Sequence, residues 1–159
     1  MAASPQPLRI WRTVVPPAWI DYNGHLNEGY YGVAFGDASD ALLEHLGFDG
    51  DYREAHGTFY TVETRIRFLR EVHEGSEIHA ATLLLGADEK RLHVHHDLLA
   101  GDSPDPVATQ ETMMLHVARG PDGPGVTGRE PDLVQENPNT IRYCTIRRYE
   151  LKSGAAGNP

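Results

Sequence analysis

The hydrophobic period of this chain changes from helical to strand-like after residues 28–46, and that change limits the folds open to it. Residues 28–46 place apolar side chains every three or four positions, with charged side chains on the other side. The apolar positions are Tyr31, Phe35, Ala38, Leu42 and Leu46. The spacing predicts one long amphipathic helix, with Asn27 as its N-cap and Gly47 just beyond its end.

Strand-like segments follow the helical one. Residues 60–68 alternate strictly, which predicts a long, half-buried antiparallel strand. Its predicted faces are Tyr60, Val62, Thr64, Ile66 and Phe68 on one side, and Thr61, Glu63, Arg65 and Arg67 on the other. Further strands are predicted at residues 77–85, 91–99 and 107–117, with a strand at 8–15 and a short helical turn at 49–55.

This order of elements predicts an α+β domain in which an antiparallel sheet wraps around one long central helix. One helix covers only one face of such a sheet, so we expect a second subunit to cover the other. The apolar fraction of 40% is slightly low for a globular domain and also favours shared burial. We expect a flexible leader at residues 1–7, the domain at 8–118, and a partly docked, Pro/Gly-rich extension at 119–159, whose residues 141–151 favour a strand or a helix equally.

The charge and composition exclude several classes of function. A formal net charge of −9 disfavours binding to nucleic acids or anionic membranes, because both need a positive field. No apolar run approaches the length of a membrane span, and the first residues do not resemble a secretion signal. The single cysteine, Cys144, excludes a disulfide within the chain and has no evident activating partner. We therefore expect a cytoplasmic protein.

Residues 19–31 combine a carboxylate, a tight turn and a helix start. Asp21 lies three residues before the pair Gly24-His25, and Asn27 precedes the helix. A helix N-terminus offers unpaired N–H groups and partial positive charge, so it can stabilise an oxyanion while a nearby carboxylate attacks or activates water. The alternative is that Asp21 caps a turn. His25 orients Asp21, binds a substrate or stabilises the turn, and Asn27 is more typical of a cap than of a ligand.

This motif resembles the acyl-CoA thioesterases of the 4-hydroxybenzoyl-CoA type, which have the hotdog fold. The shared pattern is an Asp-x-x-Gly-His-x-Asn segment before the long helix, here Asp21, Gly24, His25 and Asn27. Asp21 falls on the catalytic aspartate of that family, and Tyr31 matches the aromatic residue early in its helix. The resemblance implies thioester hydrolysis, with Asp21 as the nucleophile or the general base and with the first helix amides as the oxyanion hole.

A closer resemblance links the chain to the betainyl-CoA thioesterases of carnitine breakdown. Four blocks carry it in the same order, at residues 19–25, 35–43, 60–64 and 85–93. The likeness covers roughly residues 8–118, and the extension after Arg119 is not part of it. It implies hydrolysis of betainyl-CoA to glycine betaine and coenzyme A, a homodimer or homotetramer with the active site at a subunit interface, and no cofactor beyond the coenzyme A of the substrate.

Several side chains are candidates for holding such a substrate. Aromatic faces and a nearby carboxylate suit a quaternary ammonium group. The candidates are Trp19, Tyr22, Tyr30, Tyr31, Phe59 and Tyr60, with Glu63 or Asp37 for charge. We expect only two or three of the rings to line a pocket, the others being core or interface residues. Lys90 and Arg91 at a hairpin, or Arg65, Arg67 and Arg70 along a strand, are candidates for the phosphates of coenzyme A.

Two other interpretations concern metals and the class of function. His93, His95 and His96 lie close in sequence, but a metal site needs three or four convergent ligands and no matching motif is nearby, so we expect no metal. The rival functions are a thioesterase for another short or aromatic acyl-CoA and a non-catalytic module that senses acyl-CoA. A hotdog hydratase would need a histidine-aspartate pair elsewhere, which the sequence does not show.

Overall fold

The computed structural model describes residues 6–128. Its elements, in chain order, are β1 (Leu8–Val14), a 3₁₀ turn (Pro17–Trp19), α1 (Glu28–His45), α2 (Gly50–His56), β2 (Thr58–Phe68), β3 (Glu77–Ala87), β4 (Arg91–Ala100), β5 (Ala108–Gly120) and β6 (Gly123–Val126). Neither helix is both long enough and apolar enough to span a bilayer. Cys144 and the predicted element at residues 141–151 lie outside the described residues.

The predicted antiparallel sheet is confirmed. The strands lie in the order β1-β3-β4-β5-β2, every neighbouring pair is antiparallel, and β6 adds to β5. β1 and β2 are therefore the two edges of the main path. The helix α1 packs on one face of this sheet, against β1, β3 and β4. The segment at 49–55, predicted as a helical turn, forms the seven-residue helix α2.

The long helix α1 begins and ends where its sequence predicts. The side chain of Asn27 accepts a hydrogen bond from Gly29 N–H at 2.9 Å, which caps the first turn. Gly47, with φ of +91°, lies just past the end in a conformation that favours glycine. The side of the helix that meets the sheet is buried, with Tyr31, Ala34, Phe35, Ala38, Ser39, Leu42 and Leu43.

The predicted alternation of β2 is wrong at one point. The register between β2 and β5 shifts between Thr61 and Glu63, so Val62 is an extra residue in a β-bulge. Thr61 pairs with the buried Met114, but Glu63 pairs with Met113 on the opposite face. Because a one-residue shift reverses the face of every later side chain, Tyr60 shares its face with Glu63, Arg65 and Arg67. The face toward α1 carries Phe59, Thr61, Thr64, Ile66 and Phe68.

The single chain leaves β2 more exposed than the predicted half-burial. β2 is an edge strand, and in the single chain most of its side chains are exposed. Tyr60, Val62 and Phe68 are 49%, 54% and 53% exposed. Natural proteins rarely leave a long, apolar edge strand uncovered, because its unpaired N–H and C=O groups invite another strand.

A polar layer divides the core into two apolar clusters. His96 lies at its centre, where Nε2 is 3.0 Å from Ser39 Oγ and Nδ1 is 2.8 Å from Thr82 Oγ1. On α1, Ser39 separates Phe35 of the first cluster from Leu42 of the second. His96 and Thr82 hold the same intermediate position on β4 and β3. The hydroxyl partners satisfy both ring nitrogens, which makes burial of a neutral imidazole tolerable.

The stability of the protein is expected to fall in acid because of this histidine. Burial, and to a lesser extent the charge of His95, lowers the pKa of His96 to about 4. The unfolded chain has a pKa near 6.5 there, so it binds more protons than the native state between these values. The contribution of neutral His96 to the free energy of unfolding is complete above pH 6.5. It is lost as the pH falls toward 4, and at pH 5 the free energy of unfolding is lower by about 2 kcal/mol.

Urea unfolding at pH 7.5 and pH 5 measures this loss. His96→Gln should be less stable at pH 7.5 but should show a smaller difference between the two pH values than the wild type. His45→Gln, at an exposed histidine near the end of α1, should keep the wild-type difference. An unchanged pH dependence in His96→Gln would contradict the assignment.

Candidate active site

The loop before α1 folds into a closed turn. Asp21 N–H donates to His25 O at 2.9 Å, Gly24 N–H donates to Asp21 O at 3.0 Å, and Ile20 and Leu26 form an isolated β-bridge. Gly24 has φ of +79°, which a side chain would strain. The glycine in the motif is therefore needed for its backbone conformation, and the turn fixes where Asp21 begins.

The carboxylate of Asp21 has one engaged oxygen. Oδ1 accepts hydrogen bonds from Asn23 N–H at 2.8 Å and, more weakly, from His25 N–H at 3.4 Å. Among the residues that the structure describes, Oδ2 makes no hydrogen bond. Asp21 thus caps the turn, as the alternative interpretation predicted, and still has one oxygen available for chemistry.

An open cleft of about 530 Å³ adjoins this turn. Its lining residues come from the loop and first turn of α1, at 21, 22, 25–28 and 31, and from the end of β2 and the segment after it, at 68–71. Asp21 lies on its wall together with the start of α1. The predicted association of the loop carboxylate with the helix start is therefore observed.

Most amides around the first turn of α1 that border this cleft are hydrogen-bonded, and within the described residues that of Glu28 is not. Asn27 N–H donates to Trp19 O at 2.9 Å, Gly29 N–H is taken by the Asn27 side chain, and Tyr30 N–H donates to Asn27 O at 3.0 Å. Glu28 N–H has no hydrogen-bond partner within residues 6–128. Of the amides at residues 27–31 that were predicted as oxyanion donors, Glu28 N–H therefore stays a candidate at the positive end of the helix.

The cleft is acidic. Asp21, Glu28 and Glu71 contribute carboxylates to its wall. Its arginine, Arg70, forms an ion pair at 3.0 Å with Asp105, which does not line the cleft. The charged groups on the wall therefore favour a cation over an anion in the cleft. One of these carboxylates, that of Glu71, also contacts His25.

The side chain of His25 contacts Glu71 and not Asp21. Its Nε2 lies 3.1 Å from Glu71 Oε2, so the hypothesis that the imidazole orients Asp21 is wrong for this structure. Only the His25 backbone N–H reaches the Asp21 carboxylate. The reason is the short turn, which brings the His25 backbone toward Asp21 and places its ring beside the segment after β2.

Aromatic rings form another part of the wall. Tyr31 and Phe68 meet edge to face with ring centroids 5.1 Å apart, and Tyr22 is 98% exposed at the rim. Burial, and then the charge of Glu71, raises the pKa of Tyr31, so its hydroxyl stays protonated and donates to Arg70 O at 3.3 Å. Two of the predicted substrate-binding rings, Tyr22 and Tyr31, are therefore in the cleft.

The other predicted rings lie elsewhere in the single chain. Trp19 stacks on Tyr30 with centroids 5.3 Å apart, and both pack against the first core cluster. Phe59 is buried in the second cluster. Tyr60 and Glu63 lie on the outer face of β2, because the bulge moves Tyr60 there. Asp37 is exposed on α1 and does not line the cleft.

The hairpin candidates for coenzyme A are also distant from the cleft in one chain. Arg91 pairs with Leu115 across the sheet, whereas Leu98 pairs with Ala108 at the cleft end. Seven residues of β4 separate these pairs, roughly 23 Å at 3.3 Å per residue. Arg91 is held by Asp88, with Nε to Oδ2 at 2.7 Å, and Lys90 is exposed. Of the strand arginines, Arg70 lines the cleft.

The sequence did not predict five of the side chains that line the cleft, those of Leu26, Glu28, Phe68, Leu69 and Glu71. The histidines near residue 95 do not converge: His93 pairs with Glu111 at 2.7 Å and His95 with Asp97 at 2.8 Å, and His96 faces the core. One signal could have suggested Glu71. It follows the end of the predicted strand at residues 60–68, where the chain can turn toward the loop that carries Asp21.

Comparison with known proteins gives a consistent result. The sequence model of the thioesterase-like superfamily matches residues 15–131. The betainyl-CoA thioesterase of Pseudomonas aeruginosa is 45% identical over 120 residues, which cover 75% of this chain and 74% of that protein. A Pseudomonas putida KT2440 protein with a provisional thioesterase assignment has a similar structure, with a TM-score of 0.72 and 34% identity over 87% of this chain and 94% of that one.

A longer relative, whose name gives two activities, contains a similar region. The L-carnitine dehydrogenase/betainyl-CoA thioesterase of Agrobacterium fabrum is 51% identical over 111 residues, or 70% of this chain. The match covers 23% of that protein, so this chain spans about a quarter of its length. The resemblance found in the sequence is thereby confirmed.

Proposed function

Because this chain belongs to the thioesterase-like superfamily, which matches 15–131, we propose that it hydrolyses a short cationic acyl-CoA, betainyl-CoA, to glycine betaine and coenzyme A. One observation carries the proposal. Asp21 and Glu28 line the same cleft, the N–H of Glu28 has no partner among residues 6–128, and acidic and aromatic side chains line the cleft beside them. The names of the relatives from P. aeruginosa and A. fabrum support the same substrate.

The reaction follows from the positions of these two groups. With the thioester carbonyl oxygen at Glu28 N–H, the amide and the helix dipole stabilise the negative charge that develops on that oxygen. Asp21 then acts in one of two ways. As a general base it takes a proton from water, the hydroxide adds to the carbonyl carbon, and the coenzyme A thiolate leaves. As a nucleophile it displaces the thiolate to give a mixed anhydride, which water hydrolyses.

The acyl part of the substrate is proposed to lie against the acidic and aromatic wall. A trimethylammonium group cannot donate a conventional N–H hydrogen bond, so it is recognised by ring faces and by nearby negative charge. Tyr31 and Phe68 offer rings, and Glu28 and Glu71 offer carboxylates. A neutral acyl group of the same shape would gain nothing from those carboxylates.

The site is proposed to be completed by a second copy of the chain. The uncovered edge β2 carries apolar side chains, and its outer face carries Glu63 followed by Arg65 and Arg67. Antiparallel pairing of two β2 strands would set Glu63 of one copy near an arginine of the other, because the order of charges is reversed. A hydrophobic edge with a self-complementary charge pattern favours a homodimer, on which a tetramer can be built.

Antiparallel pairing of two β2 strands places a two-fold axis between the two copies. This symmetry would explain why some predicted site residues lie far from the cleft of their own chain. An axis through the middle of β2 puts the Tyr60 end of one strand beside the Phe68 end of the other. Tyr60 pairs with Leu115, which also pairs with Arg91, so the hairpin lies at the Tyr60 end. We therefore expect Tyr60, Glu63 and Lys90 to serve the cleft of the partner subunit.

A panel of acyl-CoA substrates tests the proposed reaction. It contains betainyl-CoA, acetyl-CoA, 4-hydroxybenzoyl-CoA and 3,3-dimethylbutanoyl-CoA, in which a carbon atom replaces the charged nitrogen of betainyl-CoA without changing its shape. We expect kcat/KM for betainyl-CoA to exceed that for its neutral analogue by about tenfold or more, the worth of roughly 1–2 kcal/mol of cation recognition. Equal rates for this pair would favour another acyl group, and no hydrolysis of any substrate would favour a sensor.

Glu71→Gln is expected to raise KM for betainyl-CoA about tenfold and to leave KM for the neutral analogue nearly unchanged, since it removes a charge without removing volume. Glu74→Gln is the matched control, because Glu74 is exposed in the same segment and does not line the cleft. Steady-state kinetics on both substrates measure the effect. An equal loss with both substrates would show damage to the segment and would contradict a role in charge recognition.

A further inference from the structure

Three metal-ligating side chains meet at the side of the cleft. In the described part of the chain, His25, Glu71 and His73 each offer one ligand atom, and these atoms lie within 4.8 Å of one another. The rings of His25 and His73 meet edge to face with centroids 5.1 Å apart. We propose that these residues form a site for a divalent ion of the zinc class, and that its occupation inhibits the enzyme.

The ligand types select the class of ion. Two imidazoles and one carboxylate suit Zn²⁺ and its neighbours, whereas Mg²⁺ and Ca²⁺ require mainly oxygen ligands. In a tetrahedral zinc site with bonds of about 2.0–2.1 Å, the ligand atoms lie roughly 3.3 Å apart. His25 Nε2 and Glu71 Oε2 are already 3.1 Å apart. Glu71 and His73 are exposed, so their side chains can close the remaining distance and water can occupy the fourth position.

A backbone hydrogen bond holds together the two segments that carry the three metal-ligating residues. Leu26 N–H donates to Val72 O at 2.7 Å, which joins the two segments that carry the three ligands. His73 Nδ1 lies 3.3 Å from Gly24 O. A carbonyl oxygen only accepts, so this contact places the proton on Nδ1 and leaves the lone pair of Nε2 for a metal. Metal-binding histidines commonly make this second contact to a backbone carbonyl.

The inhibition rests on the proposed function. A bound ion adds two positive charges beside the cleft and engages Glu71, which we propose attracts the cationic acyl group. Both changes make the cleft less favourable to a trimethylammonium group. Zinc is therefore expected to raise KM for betainyl-CoA more than KM for its neutral analogue.

Zinc binding to untagged protein tests the site without reference to activity. Equilibrium dialysis with Zn²⁺ alone is carried out in a Cys144→Ser background, which removes the one thiol of the chain. We expect one zinc ion per chain, bound at least tenfold more weakly in His73→Gln and unchanged in His45→Gln. Co²⁺ substitution should give the visible absorption of a four-coordinate site. Equal zinc affinity in His73→Gln and in the background protein would overturn the site.

The kinetic arm tests the inhibition separately. Hydrolysis is followed by the ultraviolet absorbance of the thioester, because the free thiol of coenzyme A binds zinc. We expect zinc to raise KM for betainyl-CoA at least threefold in the Cys144→Ser protein and much less in His73→Gln. Tight binding by dialysis with unchanged KM would overturn the inhibitory role. If no acyl-CoA is hydrolysed, the proposed function fails, and the dialysis result still decides whether the site exists.

Discussion

Asp21→Asn is expected to lower kcat for betainyl-CoA by roughly 10²–10⁴-fold, the usual contribution of a positioned base or nucleophile. The amide cannot take a proton from water and is a poor nucleophile. The fold should survive, because the asparagine carbonyl oxygen can still accept the hydrogen bonds that Asn23 and His25 donate to Oδ1. Steady-state kinetics measure the effect, and thermal unfolding checks that Tm stays within a few degrees of the wild type.

A matched control separates this effect from a general loss of negative charge. Asp37→Asn makes the same chemical change on the exposed face of α1, outside the cleft, and should keep nearly full activity. The thioester must be the same in both assays, since a slow substrate would hide the difference. Hydrolysis by Asp21→Asn at more than a tenth of the wild-type rate would remove Asp21 from the proposed mechanism.

Val62→Asp is expected to convert the proposed dimer to single chains and to reduce kcat/KM below about one per cent of the wild type. Near the axis of an antiparallel β2 pair, the two new carboxylates repel each other and lose hydration. Val62 is 54% exposed in one chain, so the substitution removes little buried surface within the subunit. Light scattering coupled to size exclusion measures the mass, and the acyl-CoA assay measures the activity.

The opposite edge of the sheet supplies the control for this prediction. Val14 on β1 is 56% exposed, and Val14→Asp should leave both mass and activity unchanged. Dissociation caused by Val14→Asp but not by Val62→Asp would assign the contact to the other edge. A fully active single chain of Val62→Asp would contradict the proposal that a second copy completes the site.

The regular elements could be predicted from the sequence because they depend on repeated local patterns. The helical period of α1 extends over 18 residues, and Asn27 and Gly47 mark its ends independently. The turn at residues 21–25 could be located for a similar reason, since its backbone has a positive φ at Gly24 that favours glycine. In these cases every constraint lies within a few residues of the structure that it determines.

The features that the sequence did not predict depend on contacts between distant segments. The bulge at Val62 is set by pairing with β5, some 50 residues away, and alternation alone gives no sign of an extra residue. Glu71 and His73 reach His25 only because β2 returns the chain to the start of α1. The exposure of β2 follows from its place at the edge of the sheet, which a strand pattern does not specify.

The hydrogen bond between Ser39 and His96 at the centre of the core also determines where α1 lies along the sheet. Sliding α1 along the sheet by one turn, roughly 5.4 Å, would bring Phe35 or Leu43 opposite His96 in place of Ser39. The imidazole would then lose a buried partner at a cost of about 1–3 kcal/mol, so the helix has one preferred axial setting. Glu28 lies about three turns from Ser39 along the same rigid rod. A hydroxyl deep in the interior thus sets the height above the sheet of the amide that we propose as the oxyanion donor.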